Sequence, residues 1–350
     1  MKNKYFAAPK KNQKLTLMKL FRSTLLLLFF LFTTNNFAQS IIRTTLDPGQ
    51  VPPPPSNWSK KNKLGFDISE IAFVNWSAGG TSSISGLFKG EFTRTYTKDN
   101  HKWFNELIVK YGMNKQDGTE LRKTDDAIQF NSTYGFRKDT VSNWFYSGKF
   151  NFNTQFTNGY RYPNRDVAIS KPFAPAYIFL GAGAENSNKK KNRTFYFSPI
   201  TLKTTLVLDQ DLANQGAFGV KKAVYATDPL DPDNEILIEE GQKVKAEFGI
   251  LFTGYMKNEI YKNIFYENRL TLYTDYLNRF GNVDVDYDTR LDLVVNAYVK
   301  ANIGVHIIYD DDIKTKKEVV DPVSGSKSQV DDGPRAQLRQ VLGVGLVYAF

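Results

Sequence analysis

The last sixteen residues, RAQLRQVLGVGLVYAF, alternate in polarity with a period of two. Apolar and aromatic side chains occupy most of the even positions: Leu338, Leu342, Val344, Leu346, Tyr348 and Phe350. The odd positions include the polar or small residues Arg339, Gly343 and Gly345. Successive side chains of a strand point to opposite faces, so the pattern predicts a β-strand with one apolar face. That apolar face must pack either against the core of a soluble protein or against lipid. Which of the two applies decides how the rest of the chain is interpreted.

The composition favours lipid. The chain has 350 residues with 27 Phe and 19 Tyr, and aromatic residues make up 14% of it, yet its mean hydropathy is −0.41. A soluble core rarely needs so many aromatic side chains. A barrel with lipid outside and water inside needs an apolar band, aromatic girdles and a polar lumen together.

Residues 1–38 have the form of a secretory signal peptide. A basic region precedes an apolar run at 25–32, and cleavage is predicted between Ala38 and Gln39. The apolar run is too short for a transmembrane helix. Residues 39–62 contain VPPPPSNW, whose prolines lack amide donors and favour an extended conformation. We predict a periplasmic tail there, which serves either as a spacer or as a docking motif for a periplasmic partner.

The charge and the cysteine count exclude several classes of function. The formal net charge is +10, but removing the seven basic residues of the leader leaves +3 for the mature chain. Nucleic-acid binding therefore has no electrostatic basis. The sequence has no Cys, which removes disulfide frameworks and thiolate metal sites. Nothing in the sequence indicates a cofactor.

From residue 63 to residue 350 the chain reads as about twelve segments with a two-residue period. The clearest runs from Asp284 to Val299, where apolar residues alternate with acidic ones. Many segments are longer than the roughly 5 or 6 residues usual in soluble proteins and are long enough to cross a bilayer, which takes about 9 to 11 tilted residues. We therefore predict an all-β fold, a transmembrane antiparallel β-barrel of about 12 strands, with an aromatic-rich β-sandwich as the alternative. The first strand is irregular, because Glu70 is in phase with apolar residues. Either a bulge lies near Ser69 or the register assigned to this strand is wrong.

The connections predict a topology in which both chain ends face the periplasm. Short periplasmic turns are predicted near residues 98–100, 138–142, 185–193, 257–260 and 300–301. Longer outer loops are predicted near residues 75–80, 115–123, 158–171, 209–243, 278–283 and 311–334.

Several motifs resemble a known family. They are WSAGG (76–80), WFNELIVKYGMNK (103–115), KTDDAIQFNSTYGF (123–136) and WFYSGKFNFNTQFTNGY (144–160), followed by PFAPAYIFLGAG (172–183) and SPITLKTTLVLDQDLANQGAFGV (198–220). In this order they resemble the Bacteroidota outer-membrane family filed as domain of unknown function 3078. The resemblance implies an outer-membrane barrel without an established activity, and it supplies no catalytic residues.

The C-terminal strand also resembles the closing strand of bacterial outer-membrane barrels. That likeness implies that Tyr348 and Phe350 form the signal read by the barrel-assembly machinery. It also implies a Gram-negative outer-membrane location and contact with outer-membrane lipid.

A candidate functional site lies on the polar faces of two predicted neighbouring strands. Its charged residues are Glu267, Arg269, Asp275, Asp284, Asp286, Asp288, Arg290 and Asp292. If the hairpin turns near Gly281, Arg269 lies beside Asp292. The cluster is either a charge ladder that keeps a wet lumen rigid or a ligand site or selectivity patch.

Other candidates carry weaker signals. His306 is on the lumen phase, two residues before Ile308 rather than a serine, and His101 falls in a predicted turn, so neither suggests a hydrolase triad. The loop containing Asp228, Asp231, Asp233 and Glu235 offers calcium-type ligands, but its spacing also suits a solvated acidic loop. The basic run at 189–193 could contact anionic headgroups or form a hydrated turn.

These observations predict a narrow small-solute channel that is not an enzyme. The alternative is a structural or docking subunit of an outer-membrane complex with an unknown envelope partner, and a more remote one is an outer-membrane lipid hydrolase.

Overall fold

The computed structural model describes residues 56–71, 81–228, 231, 234–278, 280–320 and 327–350. The predicted signal peptide (1–38), residues 39–55 of the predicted tail and the WSAGG motif lie outside the described residues. No helix in the described part of the chain is long and apolar enough to cross a membrane.

The described chain is almost entirely β-structure. Its strands are β1 (Trp58–Ile71), β2 (Ser83–Lys98), β3 (His101–Gln116), β4 (Arg122–Phe136), β5 (Trp144–Thr154), β6 (Gly159–Tyr160), β7 (Ala168–Ser170), β8 (Ala176–Asn188), β9 (Arg193–Leu206), β10 (Val224–Thr227), β11 (Glu235–Glu239), β12 (Val244–Tyr261), β13 (Ile264–Asp275), β14 (Asp284–Val294), β15 (Val299–Tyr309), β16 (Lys314–Val320), β17 (Lys327–Pro334) and β18 (Gln337–Ala349). A short helix, α1 (Gln210–Asn214), and a 3₁₀ turn (Ala217–Gly219) follow β9.

Twelve of these strands form one closed antiparallel barrel, in the order β1-β2-β3-β4-β5-β8-β9-β12-β13-β14-β15-β18 and back to β1. At the seam, β18 pairs with β1 from Lys63 opposite Ala349 to Ile68 opposite Val344. Closure satisfies the backbone groups that an open sheet edge would expose. The predicted twelve-stranded barrel is confirmed. Because β1 begins at Trp58, the boundary predicted at 62/63 falls inside the first strand.

The outward faces of the strands are apolar, as expected of a transmembrane barrel. Along β18 the large apolar side chains that are exposed are the even-numbered Leu338, Leu342, Val344, Leu346 and Tyr348, each 46–70% exposed, and the polar Gln340 is exposed on the same face. The barrel strands are 11 to 18 residues long, enough to cross a bilayer at the usual tilt.

Exposed aromatic residues ring both ends of this apolar band. At the end with the short turns they are Trp58, Trp103, Trp144, Tyr146, Tyr261, Tyr298, Tyr348 and Phe350. At the opposite end they are Phe156, Phe173, Phe248, Tyr276 and Phe280. Amphipathic rings of this kind are placed at the two interfaces of a membrane barrel.

The connections alternate between the two ends of the barrel as the sequence predicts, and the longest ones all lie at one end. Two of the short turns are shifted in position. The last two short turns comprise residues 262–263 and 295–298, so the predicted turns at 257–260 and 300–301 lie inside β12 and β15. The second error has a clear cause. Val295, Ala297 and Val299 continue the two-residue pattern through the turn, while the Asn296 side chain accepts hydrogen bonds from the Tyr298 and Val299 amides and closes it.

The predicted bulge near Ser69 is wrong. β1 pairs with β2 without interruption from Trp58 opposite Tyr96 to Ile71 opposite Ser83. Glu70 stays in phase with the outward apolar residues but lies near the loop end of the strand, where it is exposed. A carboxylate near the membrane surface is hydrated, so Glu70 can share the outward face with apolar residues and the strand register does not have to change.

A bulge that the sequence analysis missed lies in β9, around Pro199. The register of β9 shifts against β8 between Ala182 and Ala184 and against β12 between Gly249 and Leu251. Before the bulge Tyr196 faces the interior, and after it Lys203 does, each at most 4% exposed. Proline lacks an amide donor and is tolerated at a bulge. The extra residue therefore keeps Lys203 out of lipid.

Two long loops at the other end share a small core. It is formed by Ala174, Val207, Leu212, Ala213 and Val220. The side chain of Asp209 caps α1 by accepting from the Leu212 amide at 3.1 Å and pairs with Lys171 at 2.5 Å. These contacts join loop 155–175 to loop 207–243, and we call the joined segments the loop module.

Candidate functional site

The interior of the barrel is lined by the charged faces that the sequence predicts. Odd positions of β13 and even positions of β14 face inward, which follows from the two-residue period of a strand. The pairing of β13 with β14 sets Glu267 opposite Arg290 and Arg269 opposite Asp288. Opposite charges therefore alternate across neighbouring strands.

An ion pair joins opposite walls of the bore, and Arg339 on β18 also reaches across the interior to Asp125 on β4, four strands away, at 2.7 Å. Arg269 on β13 donates from Nη1 to Oε2 of Glu106 on β3 at 3.2 Å. These strands lie six positions apart in the ring of twelve, so the two side chains come from opposite walls. We call the level at which they meet the constriction.

Glu267 is the centre of the charge cluster at the constriction. Its carboxylate lies 2.6 Å from Lys257 Nζ, 3.2 Å from Arg269 Nε and 2.9 Å from Arg290 Nη2. Asp292 lies 3.0 Å from Arg290 Nε and 3.4 Å from Lys257 Nζ. Glu267 is only 6% exposed, and loss of one partner from a buried pair is costly because it leaves uncompensated charge.

Four of the eight predicted residues thus come together: Glu267, Arg269, Arg290 and Asp292. The structure adds Lys257 and Glu106. Lys257 was missed because it was assigned to a turn, whereas β12 runs on to Tyr261. The sequence analysis did not place Glu106 in the site, because its contact with Arg269 depends on barrel closure and strand register.

The expectation that Arg269 lies beside Asp292 is wrong. Asp292 is opposite Phe265, and Arg269 is opposite Asp288. Because Tyr273 pairs with Asp284, the hairpin is centred between residues 278 and 279 rather than at Gly281. The two residues still belong to one cluster, linked through Arg290 and Glu267.

The other predicted residues lie elsewhere on the inner wall. Asp284 accepts from Lys203 at 2.7 Å, in a second cluster that includes Glu247 and Asp310. Asp286 hydrogen bonds to His306 Nε2 at 2.9 Å. Asp275 accepts from the Leu277 amide at 2.9 Å and from the Asn278 side chain at 2.8 Å, which fixes the start of the loop. Asp288 is close enough to Lys110 to interact with it electrostatically.

Aromatic side chains fill one side of the bore. Tyr196, Leu251 and Tyr273 are at most 2% exposed and pack with Phe179. Lys149 lies 5.0 Å from the ring centroid of Tyr196 and donates to Thr253 Oγ1 at 2.6 Å. The sequence analysis missed this aromatic cluster. Tyr196 is at an even position of β9 and Lys203 at an odd one, so strict alternation would put them on opposite faces. Both face the interior because the β9 bulge lies between them.

A vestibule opens at each end of the barrel. The outer vestibule encloses about 310 Å³ and is lined by Lys245, Glu247, Asp275, Asn278, Asn282, Asp284, Asp311 and Asp312. The inner vestibule, at the short turns, encloses about 380 Å³. The outer one is acidic, and among the described residues no group of three or more His, Cys, Asp or Glu side chains is arranged to hold a metal ion.

The histidines have contacts that give no support to a hydrolase triad. His101 Nδ1 lies 2.7 Å from the Tyr134 hydroxyl, and His306 bonds to Asp286. Neither of these hydrogen bonds joins histidine to serine. Asp233 of the predicted calcium-type loop lies outside the described residues.

Tyr348 and Phe350 lie on the outward face at the short-turn end, 46% and 60% exposed, with ring centroids 5.4 Å apart. Their predicted role as an assembly signal stays a prediction.

Part of the chain matches a known family model. Residues 68–160 match the family described as protein of unknown function (DUF3078). This match confirms the resemblance over that range, which includes the first four of its motifs, from WSAGG to the motif that ends at residue 160. The Bacteroidota origin stays a prediction. No curated protein matches the chain.

Solved structures with similar folds are remote. An outer membrane channel from Pseudomonas putida F1 is 11% identical, with a TM-score of 0.39, and the match covers 87% of this chain and 100% of that one. The translocator domain of the autotransporter NalP from Neisseria meningitidis is 9% identical, with a TM-score of 0.33, over 83% and 88%. The β domain of the Bordetella autotransporter BrkA is 9% identical, with a TM-score of 0.31, over 83% and 99%. Such low scores carry no information about the function of this chain.

Proposed function

We propose that the protein is a narrow channel for small solutes in the outer membrane of a Gram-negative cell. The exposed apolar band and its two aromatic girdles support the location, because they need lipid around them. A closed barrel is also one of the two backbone arrangements that can span a bilayer. Outer-membrane lipid and the barrel-assembly machinery are the partners that this location requires, and no enzymatic step is part of the proposal.

The observation that carries the proposal is the ion pair between Arg269 and Glu106. Eight strands leave a lumen filled by side chains and sixteen leave an open channel, so twelve strands leave an intermediate bore. Here two long side chains close the gap between opposite walls. Rings of charged side chains are a usual means of selecting small ions and solutes, and rotamer changes of these two residues widen the bore without moving the backbone.

The test is single-channel conductance in planar bilayers. We expect the wild type to show a small unitary conductance and the double variant Arg269→Ala/Glu106→Ala to show a larger one. The matched control is Arg165→Ala/Glu120→Ala, which removes an exposed loop ion pair of similar length, 3.0 Å, and leaves the conductance unchanged. If folded wild type and folded double variant both fail to conduct, the protein is not a channel.

A second candidate, a structural or docking subunit, is favoured by the hairpin of β10 and β11. Its apolar side chains Val224, Tyr225, Ile236, Leu237 and Ile238 are 41–64% exposed, although the hairpin is a separate sheet outside the barrel. Crosslinking in intact cells tests this role. Recovery of the barrel only as a monomer would contradict it.

A further inference from the structure

The inner vestibule is strongly basic. It lies at the short-turn end and is bounded by the turns that follow β2, β4 and β8. Its charged lining residues are Lys102, Arg137, Lys189 and Lys190, against one carboxylate, Asp99. Thr97, Asn143, Ser187 and Asn188 add neutral polar groups to the wall.

Two of the cations are fixed on one aromatic ring. Lys102 Nζ lies 5.5 Å from the ring centroid of Phe145, and Arg137 Cζ lies 5.3 Å from it. Phe145 is 7% exposed, so the ring is held firmly in the wall. Lys102 also donates to Glu185 at 2.9 Å and to Ser187 Oγ at 2.8 Å. Its charge is therefore compensated, and it serves as a support for the site.

The remaining cations are not neutralised in this way. Among the described residues, Lys102–Glu185 is the one ion pair made by a cation of this vestibule. Arg137 donates from Nη1 to the Ser142 carbonyl at 3.1 Å, which carries no charge. Its Nε is buried and has no hydrogen-bond partner in the described structure. A buried donor without an acceptor is costly, and the Arg137 guanidinium therefore has hydrogen-bonding capacity that its protein contacts do not use.

We propose that the inner vestibule binds an oxyanion, the phosphate or carboxylate group of a small soluble molecule, with Arg137 as its main ligand. The planar guanidinium suits such a group because it offers several donors in a fixed geometry. Lys189 and Lys190 supply additional charge at the rim. The lining residues Thr97, Lys102, Phe145 and Ser187 face the lumen, which favours a soluble anion over a lipid headgroup. The site does not require the bore to conduct.

Calorimetric titration of inorganic phosphate into the folded full-length barrel, in zwitterionic detergent at low salt, tests the site. We expect saturable binding that weakens about tenfold or more in Arg137→Gln, since hydrogen bonds to charged groups are individually strong. Lys189→Gln/Lys190→Gln, on an exposed turn, should weaken it without affecting folding. The control Lys262→Gln removes a lysine from another turn at the same end and should bind as the wild type does.

Absence of phosphate binding by the wild type, or equal binding by all variants, would overturn the proposal. A second arm identifies the source of the anion by repeating the titration in nanodiscs of phosphatidylcholine with and without phosphatidylglycerol. Equal phosphate binding in both is expected. Competition by the anionic lipid would overturn the assignment to a soluble anion.

Discussion

Asp67 and Gly345 lie opposite each other across the seam that closes the barrel. A Cβ on Gly345 would lie 1.9 Å from Asp67 Oδ1 and 3.0 Å from the Phe66 carbonyl oxygen. The Asp67 carboxylate also pairs with Lys89, which limits how far it can move aside. The absence of a side chain at Gly345 therefore lets the first and last strands close with a charged residue between them.

We expect Gly345→Ala to lower the free energy of unfolding by about 1–3 kcal/mol, the usual range for overpacking. The measurement is the urea concentration at the midpoint of unfolding in detergent. The folded fraction is read on a gel, where the unheated folded barrel and the heat-unfolded chain migrate differently. Gly148→Ala is the control, because a Cβ there meets nothing within 4 Å. Equal midpoints for the two variants would contradict the prediction, because they would show that the Asp67 carboxylate moves aside without a cost in stability.

Gly183→Ala should be more damaging than Gly345→Ala. Its Cβ would lie 2.0 Å from the carbonyl oxygen of Phe197, next to the β9 bulge. A backbone carbonyl cannot rotate away as a side chain can. The clash between the new Cβ and the Phe197 carbonyl oxygen is therefore removed only if the bulge is lost. We expect a loss of at least about 3 kcal/mol, or failure to fold. The same urea series measures it, and a loss smaller than that of Gly345→Ala would contradict the prediction.

Much of this fold could be predicted from alternation alone. The outward face of β18 and the acidic inner face of β14 follow directly from a period of two. Alternation mispredicts the strand ends where the two-residue pattern continues through a turn, as at Val295 and Val299. It mispredicts which face a residue is on where a bulge shifts the pattern by one residue, as at Pro199. Both cases depend on backbone hydrogen bonds that polarity does not record.

Glu267→Gln tests the charge cluster. The substitution keeps the shape of the side chain but leaves Lys257, Arg269 and Arg290 with one negative charge fewer. Since Glu267 is buried, we expect a loss of about 3 kcal/mol in unfolding free energy. The control is Glu239→Gln. Its partner Lys221 lies at 2.8 Å, but both side chains are more than half exposed, so the loss should be at most about 1 kcal/mol. Similar losses in the two variants would contradict this account.

The ion pair of the loop module predicts a dependence on pH. Burial opposes ionisation of Asp209, but hydrogen bonds from Lys171 and from the Leu212 amide outweigh it and lower the pKa of the carboxyl group. Its contribution to stability is therefore present above the unfolded pKa, near 3.9, and is lost as the pH falls through the lower folded value. The hydrogen bond to Asp209 raises the pKa of Lys171. The stability that protonated Lys171 contributes is therefore lost only as the pH rises through the alkaline range.

Hydrogen exchange of residues 207–220 across this pH range measures the effect. After correction for the intrinsic pH dependence of amide exchange, we expect the protection of these residues in the wild type to fall below about pH 4. Asp209→Asn retains a good N-cap but lacks the charge, so its exchange should vary less with pH. Asp166→Asn, in the same loop module and exposed, is the control and should follow the wild type. Identical pH profiles for all three proteins would rule out the ion pair as the cause.

The candidate site was only partly predictable. The sequence places Glu267, Arg269, Arg290 and Asp292 on one inner wall because neighbouring strands share a hairpin. It cannot pair Arg269 with Glu106, which is 163 residues away, since that contact depends on strand number, closure and register together. Arg137 was missed because it follows a strand end, where no periodic signal remains.

The outward residues of β18 also set a length scale. Leu338 and Tyr348 are ten residues apart, and at a rise of about 3.3 Å per residue and a tilt of about 40° they are separated by about 25 Å along the membrane normal. The average bilayer has a hydrocarbon thickness of about 30 Å, and bacterial outer membranes are thinner. The barrel is therefore matched to a membrane thinner than average, and in a thicker bilayer it would have to deform its surroundings or cluster with other barrels.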